Sequence, residues 1–205
     1  MTTTRLDYIA LNRTCEDWRA LRAQLVVGGS ISQWERAAKE FFLDRLESRY
    51  LEPIRTLQGD RGFRGEGFAI VAIQCSLIEF LESTIQGINY VYKDPGPYEY
   101  SGSKQVFESF LANRKPFAGA FAPSLASSFY VGVRCGMLHE ARTKDGWRIH
   151  GEDQQGRIVD AASKILFRND FQQALLGVVS DYVATLPHDE NRQAAFLRKY
   201  DRLCA

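Results

Sequence analysis

The most apolar stretch of the chain, residues 67–81, constrains the fold more than any other part of the sequence. Its polar interruptions are few, so a helix over residues 68–89 would be apolar on most of its faces. We therefore predict a buried helix at the centre of the fold. The stretch is shorter than the about 20 apolar residues that cross a bilayer, so no membrane contact is expected.

Helical periodicity also extends on both sides of this stretch. Ser32 and Glu35 have the spacing of a capping box, and an amphipathic helix follows as far as Leu57. Further helices are predicted at residues 104–113, 124–142, 169–186 and 189–203. Short β-like runs occur at 147–150, 156–159 and 165–167, and they predict a small hairpin around 147–160, inserted into a mainly α fold.

The length and composition predict one domain over residues 1–205. A chain of 205 residues that is 45% hydrophobic can bury a core without disulfides or metal ions. We predict an N-terminal helical elaboration at 1–60, a core bundle at about 66–186 that carries the candidate site, and a C-terminal helix at 188–205.

Charge and cysteine content limit the possible partners and the compartment. The 26 basic and 25 acidic residues leave a net charge of +1, so any contact with RNA must come from a local patch. The 4 cysteines are far apart and form no C-x-x-C pair, which argues against a disulfide framework and against a thiolate zinc site. The N-terminus has no apolar core of signal-peptide length. We therefore expect a reduced, cytoplasmic protein.

Residues 134–139, with the sequence RCGMLH, bring a permanent cation and one of the 3 histidines together near the end of a predicted helix. Arg134 keeps its charge and can hold a phosphate, whereas His139 can move a proton near neutral pH. Together they suit phosphodiester cleavage without a metal ion. On a regular helix the two side chains point about 140° apart, so one helix does not aim both at one atom.

Other side chains are candidates to support this motif. Glu79 and Glu82 share a face of the apolar helix and could orient His139 or pair with Arg134, or they could form structural ion pairs. Cys135 lies four residues before His139, as a thiolate and its base would, although a small core residue is the alternative interpretation. The candidate phosphate contacts are Arg61, Arg64, Arg142 and Arg148.

Metal binding is not predicted. His150, Glu152 and Asp153 are potential ligands by type, but they fall on a predicted strand edge and turn, where such groups are usually solvated. No second histidine lies at ligand spacing from them. We expect neither a metal ion nor a cofactor.

The stretch VGVRCGMLHEA on a helix, in a mainly helical chain, resembles the HEPN superfamily, the higher eukaryotes and prokaryotes nucleotide-binding domains. The mark of that family is R-x-x-x-x-H with four to six intervening residues, and Arg134 and His139 match it. Family members often carry a polar Asn, Asp or His directly after the arginine, where this chain has Cys135. The resemblance covers about residues 66–186 and implies a HEPN-like helix bundle.

The resemblance also implies a homodimer whose two motif helices meet at a shared cleft. It implies a metal-independent endoribonuclease, often a toxin or a phage-defence protein, with RNA as substrate and an antitoxin or defence protein as a further partner. His139 would move the proton of the ribose 2′-hydroxyl or of the leaving oxygen, and Arg134 would stabilise the phosphorane. The alternative is a catalytically inactive HEPN-like module that binds a nucleotide, an RNA or a protein.

Overall fold

The structure is a computed structural model that describes residues 8–59 and 65–205, and these residues are mainly helical, as the periodicity predicts. In chain order the helices are α1 (Cys15–Arg22), α2 (Ile31–Ala37), α3 (Asp44–Leu46), α4 (Glu52–Gly59), α5 (Glu66–Gln86), α6 (Ser103–Asn113), α7 (Phe117–Ala120), α8 (Pro123–Phe129), α9 (Gly136–Glu140), α10 (Arg168–Thr185) and α11 (Glu190–Leu203). The strands are β1 (Tyr8–Ala10), β2 (Arg13–Thr14), β3 (Asn89–Tyr90), β4 (Glu99–Tyr100), β5 (Arg148–His150), β6 (Val159–Asp160) and β7 (Ile165–Phe167).

The predicted amphipathic helix near the N-terminus is confirmed, although its start differs from the prediction. Helical backbone is continuous from residue 31 to residue 59, with wider π-helical turns at Ala38–Leu43 and Glu47–Leu51 between the α-helical segments. The predicted capping box is wrong, because the N-cap is Ser30 and Ser32 lies inside α2. The hydroxyl groups of Ser30 and Ser32 instead bond to each other at 2.9 Å.

The chain divides into two compact units, and the first contains the described residues up to Pro53, together with Ser83–Tyr100 and Asp181–Ala205. Its core is aromatic. Phe196 stacks on Tyr200 with ring centroids 4.3 Å apart, and Trp18 lies 5.3 Å from the Tyr200 ring. The Tyr200 hydroxyl donates to the Phe41 carbonyl at 3.2 Å, so this buried polar group has a partner. Burial raises the pKa of Tyr200, which keeps the hydroxyl protonated.

Gly87 allows a very close contact within this unit. Its φ of +66° is in the left-handed region, where a side chain is strained. A Cβ at this position would lie 2.5 Å from the Cα of Ala195 in α11. Glycine is therefore required here both by the backbone conformation and by the neighbouring backbone.

The second unit comprises Ile54–Glu82 and Ser101–Ser180. Phenylalanine rings from α6, α7, α8 and α10 meet in its interior; for example, the rings of Phe117 and Phe171 are 5.2 Å apart and those of Phe129 and Phe171 are 5.8 Å apart. In this unit, the phenylalanines with at most 1% of their surface exposed are Phe107, Phe110, Phe117, Phe121, Phe129 and Phe171. Burial of large apolar side chains of this kind is the main favourable term in folding.

The apolar helix is present and buried, and it is longer than the run that predicts it. α5 extends over 21 residues. Its side chains with no exposed surface include Ile70, Val71, Leu77, Ile78 and Leu81. By length and composition α5 could cross a membrane, but 56% of its most apolar window is buried inside the structure. The core helix of a globular protein meets the same two criteria.

The predicted hairpin around residues 147–160 is wrong in its pairing. β5 and β6 do not pair with each other; instead both pair with β7, in the order β5-β7-β6. β7 is parallel to β5 and antiparallel to β6. The reason is burial: Leu166 and Phe167 in β7 are 0% and 6% exposed, so β7 takes the central position and the more polar strands lie at the edges.

The spacing of the cysteines argues against a disulfide framework, but the structure contains one disulfide. Cys15 and Cys204 form a disulfide in the first unit, with Cα atoms 5.2 Å apart across a sequence separation of 189. The Trp18 indole donates to the Asp201 carboxylate at 3.0 Å and helps to hold α1 beside the end of α11. Because cysteine spacing along the chain carries no information about helix packing, the sequence does not predict this pair. Cys75 and Cys135 are free thiols.

Candidate functional site

The RCGMLH motif lies on one continuous helix in the second unit. Pro123 occupies the first turn of α8, where the missing N–H costs no hydrogen bond. A π-helical stretch, Tyr130–Cys135, joins α8 to α9 and contains Arg134. Ala141, with a left-handed φ of +53°, ends the helix two residues after His139. Single π-helical turns within helices are often found at functional sites.

One face of this motif helix is covered by the loop at residues 142–147. A Cβ on Gly132 would lie 2.4 Å from Cδ1 of Trp147, and a Cβ on Gly136 would lie 2.6 Å from the Arg142 carbonyl oxygen. The Lys144 N–H donates to the Gly132 carbonyl at 2.7 Å. Gly132 and Gly136 therefore allow a close contact between the motif helix and this loop.

Arg134 is held at the opposite side of that helix by two side chains. Its Nη2 lies 3.5 Å from Oε2 of Glu79, and its guanidinium lies 5.4 Å from the centre of the Tyr130 ring. The side chains of Arg134 and Glu79 are 20% and 21% exposed. Of the partners that the sequence suggests for Arg134, the structure thus brings Glu79 to it, in an ion pair between α5 and the motif helix.

Tyr130 is a site residue that the sequence analysis missed, although it lies four residues before Arg134 and therefore on the same face. Its hydroxyl shares a hydrogen bond of 2.9 Å with Ser103 Oγ. Burial raises the pKa of Tyr130, and a hydrogen bond with Cys135 acts in the same direction, while Ser103 and Arg134 oppose the shift.

Cys75 is a second free thiol, and it is buried. Burial raises the pKa of Cys75 to about 12, with the charge of Arg134 opposing the shift. A thiol with such a pKa is protonated at neutral pH and is a poor nucleophile.

His139 is exposed in the last turn of α9. The next residue, Glu140, accepts hydrogen bonds from Lys144 at 2.7 Å and from Arg142 at 3.1 and 3.2 Å. The Lys144 ammonium, and then Arg142, hold the pKa of Glu140 below its usual value. Arg142 is therefore near His139 along the chain, and it already pairs with an exposed carboxylate.

Glu82 is not part of this group, although it shares a helix with Glu79. It has no exposed surface, and both of its oxygens accept from the Arg114 guanidinium, at 2.7 and 3.0 Å. Ser109 Oγ donates to it at 2.9 Å. This arrangement is a structural ion pair between α5 and the end of α6, which was the alternative interpretation of this glutamate.

The remaining basic candidates lie in different parts of the chain. Arg148 is exposed on β5 and donates to the Ser163 carbonyl at 3.4 Å. Arg61 and Arg64 lie outside the residues that the structure describes. Arg142 and Arg148 are thus the two predicted phosphate contacts that the structure describes as accessible.

Asp153, one of the potential metal ligands by residue type, is paired with an arginine. Asp153 binds the Arg157 guanidinium at 3.0 and 3.1 Å, and this contact lowers the pKa of Asp153 to about 2. Within residues 8–59 and 65–205, no group of three or more His, Cys, Asp or Glu side chains could hold a metal ion.

The fold and the site together define a mainly helical protein with an arginine and a histidine near the end of one helix. Comparison with models of known protein families, with curated proteins and with solved structures gave no match.

Proposed function

We propose that this protein is a HEPN-type, metal-independent endoribonuclease that acts through Arg134 and His139. One observation supports the proposal most: a single helix presents a partly exposed, firmly held arginine and an exposed histidine at its end. A guanidinium that is fixed before the substrate arrives needs little reorganisation when charge develops on a phosphate.

The two side chains would have different roles in cleavage. His139 would accept the proton of the ribose 2′-hydroxyl or donate a proton to the leaving 5′-oxygen. Arg134 would donate hydrogen bonds to the phosphorane oxygens, with Glu79 and Tyr130 positioning its guanidinium. Attack of the 2′-oxygen on the adjacent phosphorus displaces the 5′-oxygen and leaves a 2′,3′-cyclic phosphate.

The proposal includes a homodimer, because one helix directs Arg134 and His139 away from each other. Val131 and Leu138, on the same helix, are large apolar residues that are 42% and 56% exposed. They are seven residues apart, which is about two turns, so they lie on a similar face. A second copy of the chain could cover both residues and bring its own histidine towards the arginine.

The proposed compartment is the cytoplasm, where cellular RNA is found. Cytosolic reductants keep most thiols reduced, so Cys15 and Cys204 would then be present largely as a dithiol.

A catalytically inactive HEPN-like module is the second candidate. The ion pair with Glu79 favours it, because holding α5 against the motif helix is a sufficient role for an arginine at position 134. Such a module would bind a nucleotide, an RNA or a protein partner without cleaving it.

Cleavage of a mixed RNA pool in EDTA distinguishes the two candidates. We expect the wild type to cleave RNA in the presence of the chelator and to leave 2′,3′-cyclic ends. His139→Ala should lower the rate by about 100-fold or more, which is typical for the loss of a general acid or base. Arg134→Ala should also be strongly impaired.

His188→Ala is the matched control, because His188 is also exposed but belongs to the first unit. It should cleave at the wild-type rate, and circular dichroism should show equal folding of all variants. A wild type without activity, or equal rates for wild type and His139→Ala, would favour the inactive module.

A further inference from the structure

A second group of residues in the first unit has the features of a binding surface. Tyr90, Tyr92 and Tyr98 belong to one segment, and their side chains are 56%, 79% and 58% exposed. Tyrosine rings are usually at least partly buried, so three exposed rings in one segment are unusual. We call these three residues the tyrosine surface.

Hydrogen bonds hold the backbone that carries the tyrosine surface. The Asn89 N–H donates to the Tyr98 carbonyl and the Val91 N–H to the Tyr100 carbonyl, each at 2.9 Å. Within the turn between these strands, the Gly96 N–H donates to the Glu99 carboxylate at 2.9 Å. Tyr90 therefore lies on a hydrogen-bonded strand, and Tyr92 and Tyr98 lie in the connection between β3 and β4.

Tyr98 has a backbone conformation that is costly for a bulky residue. Its φ is +60°, in the left-handed region, where residues with large side chains are rare. Residues held in such conformations occur preferentially at binding sites. The conformation directs the Tyr98 ring to Arg198.

Basic side chains lie beside these rings. The Arg198 guanidinium is 4.2 Å from the centre of the Tyr98 ring, and it donates to the carbonyls of Gln86 and Gly87 at 3.3 Å. Lys93 Nζ is 5.4 Å from the centre of the Tyr92 ring. A guanidinium on one face of Tyr98 leaves the other face for a second planar group.

From this arrangement we propose that the tyrosine surface binds single-stranded RNA. Bases would stack on the exposed rings, and phosphates would lie near Lys93, Arg198 and the half-exposed Arg202. Arg202 lies 3.9 Å from Glu99, so Lys93 and Arg198 supply the local positive charge beside the one other acid of this segment, Asp94.

Single strands fit this surface better than duplexes. Stacking on a protein ring requires a base whose face is free, and bases in a duplex are already stacked on each other. Every base has a face that can stack on a ring, so we expect little sequence preference. Binding here does not require the cleavage activity proposed above.

The test is fluorescence anisotropy with a labelled single-stranded RNA of about 12 nucleotides, within the range of such sites. All proteins carry His139→Ala so that the RNA stays intact. Tyr92→Ala should weaken binding by about 5-fold to 100-fold, because one stacked base is lost. Tyr92→Phe keeps the ring and should bind within about two-fold of the parent, as expected when stacking dominates.

Tyr8→Ala is the matched control, since Tyr8 is 51% exposed in the same unit but belongs to β1. It should not change the dissociation constant. Lys93→Gln should lower the slope of log K against log salt by about 0.7, which corresponds to one phosphate contact.

Three results would overturn the inference: no RNA binding by the parent, unchanged binding by Tyr92→Ala, or equal affinity for a duplex of the same sequence. The cleavage assay is independent of all three. If the protein binds RNA and the wild type does not cleave it, the inference stands and the ribonuclease proposal fails. If the wild type cleaves RNA and Tyr92→Ala leaves binding unchanged, the ribonuclease proposal stands and the inference fails.

Discussion

Glu82 and Glu79 lie one helical turn apart and have different environments. Glu82 is fully buried and accepts a two-point contact from Arg114, whereas Glu79 is partly exposed and lies 3.5 Å from Arg134. A buried carboxylate is tolerated only with such partners, since removing one of them leaves an uncompensated buried charge. Glu82 therefore acts on stability, and Glu79 lies where it can position the guanidinium of Arg134.

Substitution of Glu82 should show this structural role. Glu82→Gln removes the charge and leaves the Arg114 guanidinium, which is 29% exposed, facing an amide, so we expect the free energy of unfolding to fall by about 1.5–3 kcal/mol. Urea unfolding followed by fluorescence measures the change. Lys104→Gln is the control, because it breaks an ion pair with Glu108 in the same unit in which the lysine is 52% exposed, and it should cost less than about 1 kcal/mol.

A loss below about 1 kcal/mol for Glu82→Gln, comparable to that of Lys104→Gln, would mean that the buried contact contributes no more than a surface pair.

At the scale of secondary-structure elements, the loop at 142–147 packs closely against the motif helix because Gly132 has no side chain. Trp147 approaches Gly132 so closely that no Cβ fits between them, and its indole donates to Ser128 Oγ at 3.1 Å. Glycine normally weakens a helix. Here the loss of helix propensity is offset by the burial of a tryptophan against the helix.

Two glycine-to-alanine substitutions should therefore have opposite effects. Gly132→Ala forces a clash with Trp147 and should lower the free energy of unfolding by about 1–3 kcal/mol. A Cβ at position 177 in α10 would have no neighbouring atom within 4 Å. Gly177→Ala should therefore raise the free energy of unfolding by about 0.5–1 kcal/mol through helix propensity. Thermal or urea unfolding of both variants is the measurement, and stabilisation by Gly132→Ala would contradict the observed contact.

The elements that the sequence predicts correctly are those whose signal is local. Residues three and four apart mark the helices, and Pro123 marks the start of α8, because these patterns depend on one segment only. The partners of β7 depend on which strand is most buried, and the pairing of Glu82 with Arg114 joins two different helices. Such contacts have no signature in the spacing of a single segment.

The candidate site was predictable to the same extent. The place of the motif near the end of a helix follows from helix periodicity, and Tyr130 could have been found from its i to i+4 spacing. The choice of Glu79 rather than Glu82 as the partner of Arg134 could not be predicted, because this contact joins two helices. Ser103 could not, because it comes from another helix.

At the scale of the whole chain, the disulfide joins residues from opposite ends of the sequence. Cys15 and Cys204 enclose nearly all of the chain, and in the loop-entropy description a long enclosed loop gives a large stabilisation. A bond of this kind limits the conformations available to the unfolded chain. In the folded protein it directly joins the first residue of α1 to the residue that follows α11.

Reduction should therefore lower the free energy of unfolding by about 2–5 kcal/mol. Urea unfolding with and without a phosphine reductant measures the difference, and non-reducing electrophoresis reports the state of the bond. The double variant Cys15→Ser and Cys204→Ser should show no response to the reductant. A reductant effect that persists in this variant would have to come from another part of the protein.

The contact between Gly87 and Ala195 also restricts how the sequence can diverge. The atoms that exclude a side chain at position 87 include the Cα and carbonyl oxygen of Ala195, so exchanging a neighbouring side chain cannot relieve the overlap. A mutation at position 87 would be tolerated only after the backbone of α11 had shifted. These two positions should therefore be among the last to change, and they offer a marker for distant relatives.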